Sequence, residues 1–265
     1  MRMKSIASGS SGNSIYVGSD DTHILVDVGL SRKRIEAGLS ELDICGNDLD
    51  AIFITHEHSD HIQGLGVFLR KYSVPVYSTR GTIEAINRVS SLGEFDRSLL
   101  HVIDSSESLM VNDIEVSPID ISHDAAEPVA YHFECAGTQT AILTDLGTYD
   151  DAIVDRLQGL SAIYIESNHD IRMLETGRYP YPLKQRILGK KGHLSNEASG
   201  RLLSKLLNNG MQHVILSHLS QENNLPELAY EAVRLEIELS DTEYRGDDFP
   251  IDVARRDRPG MTLEL

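Results

Sequence analysis

The stretch Thr55-His56-Glu57-His58-Ser59-Asp60-His61 constrains this chain more than any other. It follows the apolar run Ala51-Ile52-Phe53-Ile54, which reads as a buried strand, and precedes a helix expected near Ile62-Gln63-Gly64-Leu65. Side chains in extended backbone alternate with a period of two, so His56 and His58 point the same way. Asp60 and His61 fall where the chain turns and can face a second position. Imidazole and carboxylate donors suit zinc, manganese or iron(II), and the stretch offers more ligands than one tetrahedral ion takes. Two divalent ions are the economical reading. The competing reading is a polar surface loop that holds three histidines by chance. With eleven histidines in 265 residues chance pairs are common, but three histidines and an aspartate in six positions directly after a buried strand are not.

Composition places the chain in the globular class, with 40% hydrophobic and 25% charged residues. A single domain over 1–265 is expected. No apolar run approaches the ~20 residues that span a bilayer, and Met1-Arg2-Met3-Lys4 leads into Ser5-Ile6-Ala7 rather than a long apolar signal. The expectation is a soluble, cytoplasmic protein with no membrane partner. Cys45 and Cys135 lack a C-x-x-C pattern and are expected to be reduced. The net charge of -17 opposes nucleic-acid binding by the chain as a whole, because duplex affinity comes largely from neutralised phosphates. Its distribution is uneven. Between His169 and His193, Arg172, Arg178, Lys184, Arg186, Lys190 and Lys191 stand against only Asp170 and Glu175. The segment 166–196 is therefore expected to be a basic, substrate-facing strip, with an ordinary exposed helix as the competing reading.

The Gly/Ser cluster Ser8 to Ser14 reads as a tight turn whose amides and hydroxyls, at Ser10, Ser11 and Asn13, can hold a phosphate. A helix is expected over 32–40, and Leu65, Phe68, Leu69 and Tyr72 form a core-facing helical stripe. From 99 to 143 the period shortens to that of consecutive strands, with separate strands at 114–116 and 119–121. Ser195 opens a helix running to Leu207, and a helix N-terminus presents free N–H groups to an anion. In the last helix, Leu228, Ala232, Leu235 and Leu239 are expected to face the core.

The pattern H-x-H-x-D-H, carried by His56, His58, Asp60 and His61, resembles the signature of the metallo-β-lactamase superfamily. The resemblance extends to Asp27 in Ile24-Leu25-Val26-Asp27, to the lone His123, to Asp145 in Ala141-Ile142-Leu143-Thr144-Asp145, and to His218 in Val214-Ile215-Leu216-Ser217-His218. Ser8-Gly9-Ser10-Ser11-Gly12-Asn13-Ser14, Ser122-His123-Asp124-Ala125, Glu166-Ser167-Asn168-His169-Asp170 and Gly192-His193-Leu194-Ser195-Asn196 are similar to its WalJ/YycJ branch, bacterial cytoplasmic proteins regarded as double-stranded DNA exonucleases.

The resemblance implies an α/β fold, the four-layer αββα sandwich of that superfamily. It implies one ion on His56, His58 and His123, a second on Asp60, His61 and His218, and Asp145 shared between them. Asp27 is expected to orient the neighbouring metal-site groups by hydrogen bonds. The implied reaction is phosphodiester hydrolysis by a metal-bridging hydroxide, with zinc or manganese as the ions and iron an alternative. Asp60 and Asp145 are the carboxylates at the chemistry. His193 or His169 would aid the leaving oxygen, and Ser10, Ser11, Asn13, His193 and Ser195 would contact substrate phosphate. The implied partner is nucleic acid, double-stranded DNA in particular, and the oligomeric state is left open. A small-molecule phosphodiesterase of the same fold is the rival enzyme, and a regulatory binding protein with a residual metal site the rival of a different class.

Overall fold

The structure is a computed structural model that describes residues 1–265. The chain forms two compact units, each assembled from separated segments. The first takes in 1–120, 125–137 and 255–264, and the second 121–124, 138–254 and residue 265.

The first unit holds β1 (Arg2–Ala7), β2 (Ser14–Gly18), β3 (His23–Val26), α1 (Arg32–Ser40), β4 (Ala51–Phe53), α2 (Ser59–Ile62), α3 (Leu65–Leu69), β5 (Val76–Ser78), α4 (Arg80–Arg88) and β6 (Leu100–Val102). Its strands pair in chain order. β1, β2 and β3 are antiparallel, and β3 through β6 run parallel. The parallel strands are apolar at almost every position because helical crossovers cover a parallel sheet. Leu25 lies opposite Ile52 in register, and both sit in one core with Ile35, Leu39, Phe68 and Leu69. The helix expected after the histidines is interrupted at Gln63 and Gly64. α2 ends at Ile62, and Gly64 precedes α3 because a Cβ there would stand 1.9 Å from the Leu30 carbonyl oxygen.

The same unit carries an antiparallel meander of β7 (Leu109–Val111), β8 (Ile114–Asp120) and β9 (Val129–Cys135). The two strands expected at 114–116 and 119–121 are one. Pro118 lies inside β8, where proline lacks the N–H a ladder needs. β7 pairs only as far as Val116, so Pro118 faces β9 alone, opposite Tyr131.

The second unit holds β10 (Thr138–Leu143), α5 (Asp151–Arg156), β11 (Ala162–Glu166), α6 (Ile171–Thr176), α7 (Tyr181–Leu188), α8 (Asn196–Leu206), β12 (His213–Ser217), α9 (Pro226–Leu239) and β13 (Ile251–Val253). β10, β11, β12 and β13 pair in that order, all parallel. The face of α9 differs from expectation. Ala229, Val233 and Ile237 are buried, while Leu228, Leu235 and Leu239 are exposed. The cause is Gly200 of α8, where an added Cβ would come within 3.0 Å of the Val233 Cα. So close an approach selects the face that carries alanine and β-branched residues and turns the leucines outward. The remaining strand, β14 (Leu263–Glu264), belongs to the first unit and pairs antiparallel with β1.

Candidate metal centre

In the first unit, Asp27 follows β3 with its backbone in the left-handed region, φ 62°. Aspartate tolerates that conformation better than most residues, and it is found where a side chain must be aimed at a fixed target. The target is the turn after β4. Asp27 Oδ1 accepts from the Thr55 amide at 2.9 Å and the Thr55 hydroxyl at 3.1 Å, and Oδ2 accepts from His61 Nδ1 at 2.7 Å. A carboxylate on Nδ1 places the ring proton there and leaves the lone pair on Nε2. The His56 ring stands 4.6 Å from that of His58 and 4.1 Å from that of His61, centroid to centroid. His56, His61 and Asp27 are buried.

The Gly/Ser turn between β1 and β2 holds this cluster in place. Asn13 Nδ2 stands 3.1 Å from His61 Nε2 and 3.4 Å from Asp60 Oδ2, and the Asn13 backbone amide donates to the Asp60 carbonyl at 2.8 Å. Gly29 is required at the same point, because a Cβ on it would sit 1.7 Å from the Asp60 carbonyl oxygen. Asn13 is therefore a buried tether, while Ser10 and Ser11 face solvent.

In the second unit the donors stand at the carboxyl ends of adjacent parallel strands, where open α/β sheets place their ligands. Asp145 follows β10 at φ 61°, Glu166 ends β11, and His218 follows β12 at φ 55°. Glu166 is fully buried, and Oε1 accepts from His193 Nδ1 at 2.8 Å and His218 Nδ1 at 3.0 Å. Oε2 accepts from the amides of Leu146 at 2.8 Å and Leu194 at 3.1 Å. Burial alone would push the Glu166 carboxyl up, but the charge on His193 and the bonds from both histidines bring it down to about 2. Asp145 Oδ1 lies 3.5 Å from His218 Nδ1, 3.7 Å from His193 Nδ1 and 3.8 Å from His123 Nε2. His123 Nδ1 stands 3.0 Å from the Gly192 carbonyl, an acceptor that fixes the ring proton on Nδ1.

Ligand atoms of Asp145, Glu166, His193 and His218 all lie within 4.8 Å of one another, a spacing that suits a cation. Glu166 already accepts four donors, so its role here is to orient the two imidazoles. His61, His123 and His218 each have Nδ1 tied to an oxygen, which leaves Nε2 as the donor. This is the arrangement that metal-binding histidines adopt. Among the unit's clustered histidines, His193 is the accessible one, its side chain 16% exposed against 2% for His218.

Two further expected residues, His169 and Ser195, form a β-bridge beside the Glu166 cluster, and the Leu194 amide next to Ser195 donates to Glu166. Ser195 caps α8, its hydroxyl accepting from the Ala198 amide at 3.2 Å. His169 is buried, its Nδ1 3.3 Å from Asn168 Oδ1 and its Nε2 without a hydrogen bond. Burial lowers the His169 imidazole to about 4. Glu166 was not among the expected site residues, although its signal is the one that marked Asp27 and Asp145: an acid closing an apolar strand, here Ala162-Ile163-Tyr164-Ile165.

Carboxylates and histidines gathered at strand ends in an α/β sandwich define a metallohydrolase, and the chain belongs to the β-lactamase superfamily: the model of the Beta-lactamase superfamily domain matches residues 22–219. Within it, the chain is 41% identical over 224 residues to a Bacillus anthracis protein named exodeoxyribonuclease YycJ, covering 84% of each chain. It is 41% identical over 225 residues to exodeoxyribonuclease WalJ of Streptococcus pneumoniae, covering 85% of this chain and 84% of that one. The metallo-β-lactamase fold protein YhfI from Bacillus subtilis superposes on all of the chain with a TM-score of 0.70 at 15% identity, which shows the expected α/β sandwich fold. The protein is a metal-dependent hydrolase. No helix is long and apolar enough to cross a membrane.

Proposed function

We propose that the chain is a cytoplasmic exonuclease acting on double-stranded DNA, working as one domain with two divalent ions, zinc or manganese. His56, His58 and His123 would hold one ion, and Asp60, His61 and His218 the other, with Asp145 shared. Bound there, paired ions supply an activated water and charge compensation for both oxygens of an in-line displacement. Two aspartates against two divalent cations leave a positive surplus that favours an anionic substrate.

His193 delivers the proton to the leaving oxygen. Its Nδ1 is fixed by Glu166 at 2.8 Å, which directs Nε2 away from the carboxylate, and the ionised Glu166 supports the positive charge the ring carries when both nitrogens are protonated. Asp27 and Asn13 hold His61 and Asp60 in position. The basic residues of 172–191 add phosphate contacts: Arg172, Arg178, Arg186, Lys190 and Lys191 are exposed. Arg186 also pairs with Asp124, next to His123.

The observation that carries this reading is the Glu166–His193 pair beside Asp145, in a chain 41% identical over most of its length to proteins named exodeoxyribonucleases. The test is incubation of purified protein, with Mn2+ or Zn2+, on end-labelled duplex DNA, single-stranded DNA, RNA and a small bis-phosphodiester. Progressive shortening of the duplex from an end is expected. Turnover of the small ester alone would establish a small-molecule phosphodiesterase instead, and no turnover of any substrate a binding protein.

A further inference from the structure

A cavity of about 360 Å³ opens in the first unit, with Ser11, Ser31, Arg32, Arg34 and Gln63 on its wall. No acidic residue lines it, although the chain carries 41 acidic side chains against 24 basic ones. Arg34 has no carboxylate partner, and Arg32 shares its one carboxylate, Glu36, with Lys71. Arg34 Nη2 donates to the Arg256 carbonyl at 2.9 Å, an uncharged acceptor. Arg32 Nε lies 3.3 Å from Glu36 Oε1 without forming a hydrogen bond, and that oxygen already accepts from Lys71 Nζ at 2.8 Å and the Tyr72 hydroxyl at 2.7 Å. One carboxylate set against Arg32, Lys71 and Arg34 leaves a surplus of positive charge at a concave, hydroxyl-lined surface, and planar guanidinium forks match phosphate oxygens.

The cavity is joined to the metal-site turn. Gln63, two residues after His61, donates through Nε2 to the Ser11 carbonyl at 3.2 Å and to the Gly29 carbonyl, bridging the turn that holds Asn13 to the strand end that holds Asp27. Nine-residue α1 begins at Arg32, and Ser31 makes no side-chain bond to its amides. A cavity with hydrogen-bond donors, no acid, and a rigid link to the histidine cluster is built for an anion that is itself part of a larger substrate.

We propose that the Arg32–Arg34 cavity receives a phosphate group of the nucleic-acid substrate other than the one being hydrolysed. This rests on the exonuclease reading above and adds to it a second anchoring point, which fixes how far the strand advances. The phosphate is either the terminal monoester of a strand or an internal diester, and the two give different results below.

The test compares wild type with Arg32→Gln, which keeps the aliphatic stem, and with Arg32→Lys. Inorganic phosphate is expected to raise the melting temperature of wild type and of Arg32→Lys but not of Arg32→Gln. On duplexes bearing a 5′-phosphate, a 3′-phosphate or no terminal phosphate, Arg32→Gln is expected to raise KM about tenfold with kcat unchanged, the loss of one charge-assisted contact. The dependence of log KM on log salt should fall by about one ion. A KM rise confined to one phosphorylated end assigns the cavity to a terminal monoester; an equal rise on all three assigns it to an internal diester. Equal phosphate stabilisation of wild type and Arg32→Gln, or an unchanged KM on every duplex, overturns the cavity assignment. A wild type that degrades no duplex overturns the nuclease reading itself, a result separable from the first because phosphate stabilisation is read without turnover.

Discussion

Replacing Glu166 with glutamine tests the organising role of the one acid that the strand pattern left unassigned. The carboxylate accepts from two imidazoles and two backbone amides, so all four donors point at it. A glutamine amide has one oxygen. Its nitrogen must face either the histidines or the amides of Leu146 and Leu194, setting donor against donor. Each buried donor left unmatched costs about 1–3 kcal/mol. The charge adds a pH-dependent part. The Glu166 carboxyl falls from 4.5 to about 2 on folding, which corresponds to about 3 kcal/mol. The folded value is the lower one, so this stability is present above pH 4.5 and is lost as pH falls toward 2. Integrating the linkage gives a loss of about 1 kcal/mol by pH 4 and about 2 kcal/mol by pH 3. Urea unfolding of chelator-treated wild type and Glu166→Gln at pH 7, 4 and 3 measures both parts. The variant should be less stable by about 4 kcal/mol or more at pH 7, and the gap should narrow by about 2 kcal/mol at pH 3. A variant with wild-type stability at pH 7, or a gap independent of pH, would refute the reasoning.

Other substitutions probe other parts of the site. His169 titrates at about 4 in the folded state against 6.5 in the chain, so the unfolded form binds the proton first and stability falls as pH drops from 6.5 to 4. His169→Gln should remove about 3 kcal/mol of that acid sensitivity in urea titrations between pH 7 and 4; an unchanged slope would show that the imidazole is not desolvated. Gly29→Ala should cost about 3 kcal/mol or more and weaken metal retention, because its Cβ meets the Asp60 carbonyl at 1.7 Å; thermal melts matching wild type would show that the turn can shift. His193→Ala should keep its metal content while cleavage slows roughly 10²-fold or more, most for esters with poor leaving groups. An equal loss on activated esters would remove the acid role.

The parts of the fold legible in the sequence are those where one local signal suffices. Apolar runs closed by Asp27, Asp145 and His218 mark the ends of β3, β10 and β12, and Ser195 marks the start of α8. Where two elements compete for one space, the sequence is silent. The leucines of α9 look like its core face, yet the close approach at Gly200 turns them outward, and only the packed pair reveals this. Pro118 looks like a strand break because the shortness of β7 cannot be read beforehand. Glu166 carried the right local signal, but its four partners come from 146, 193, 194 and 218, distant along the chain. The sequence marks Asn13 as a turn residue but does not show that it bonds to the Asp60–His61 turn, 47 and 48 positions away.

Metal content per chain tests the central claim most directly. Protein stripped with chelator, reloaded with Zn2+ or Mn2+, desalted and measured by elemental analysis should hold two ions per chain, with His61→Ala and His218→Ala each retaining fewer. One ion or none in the wild type, or two ions in both variants, would contradict a shared pair of cations on these histidines and aspartates.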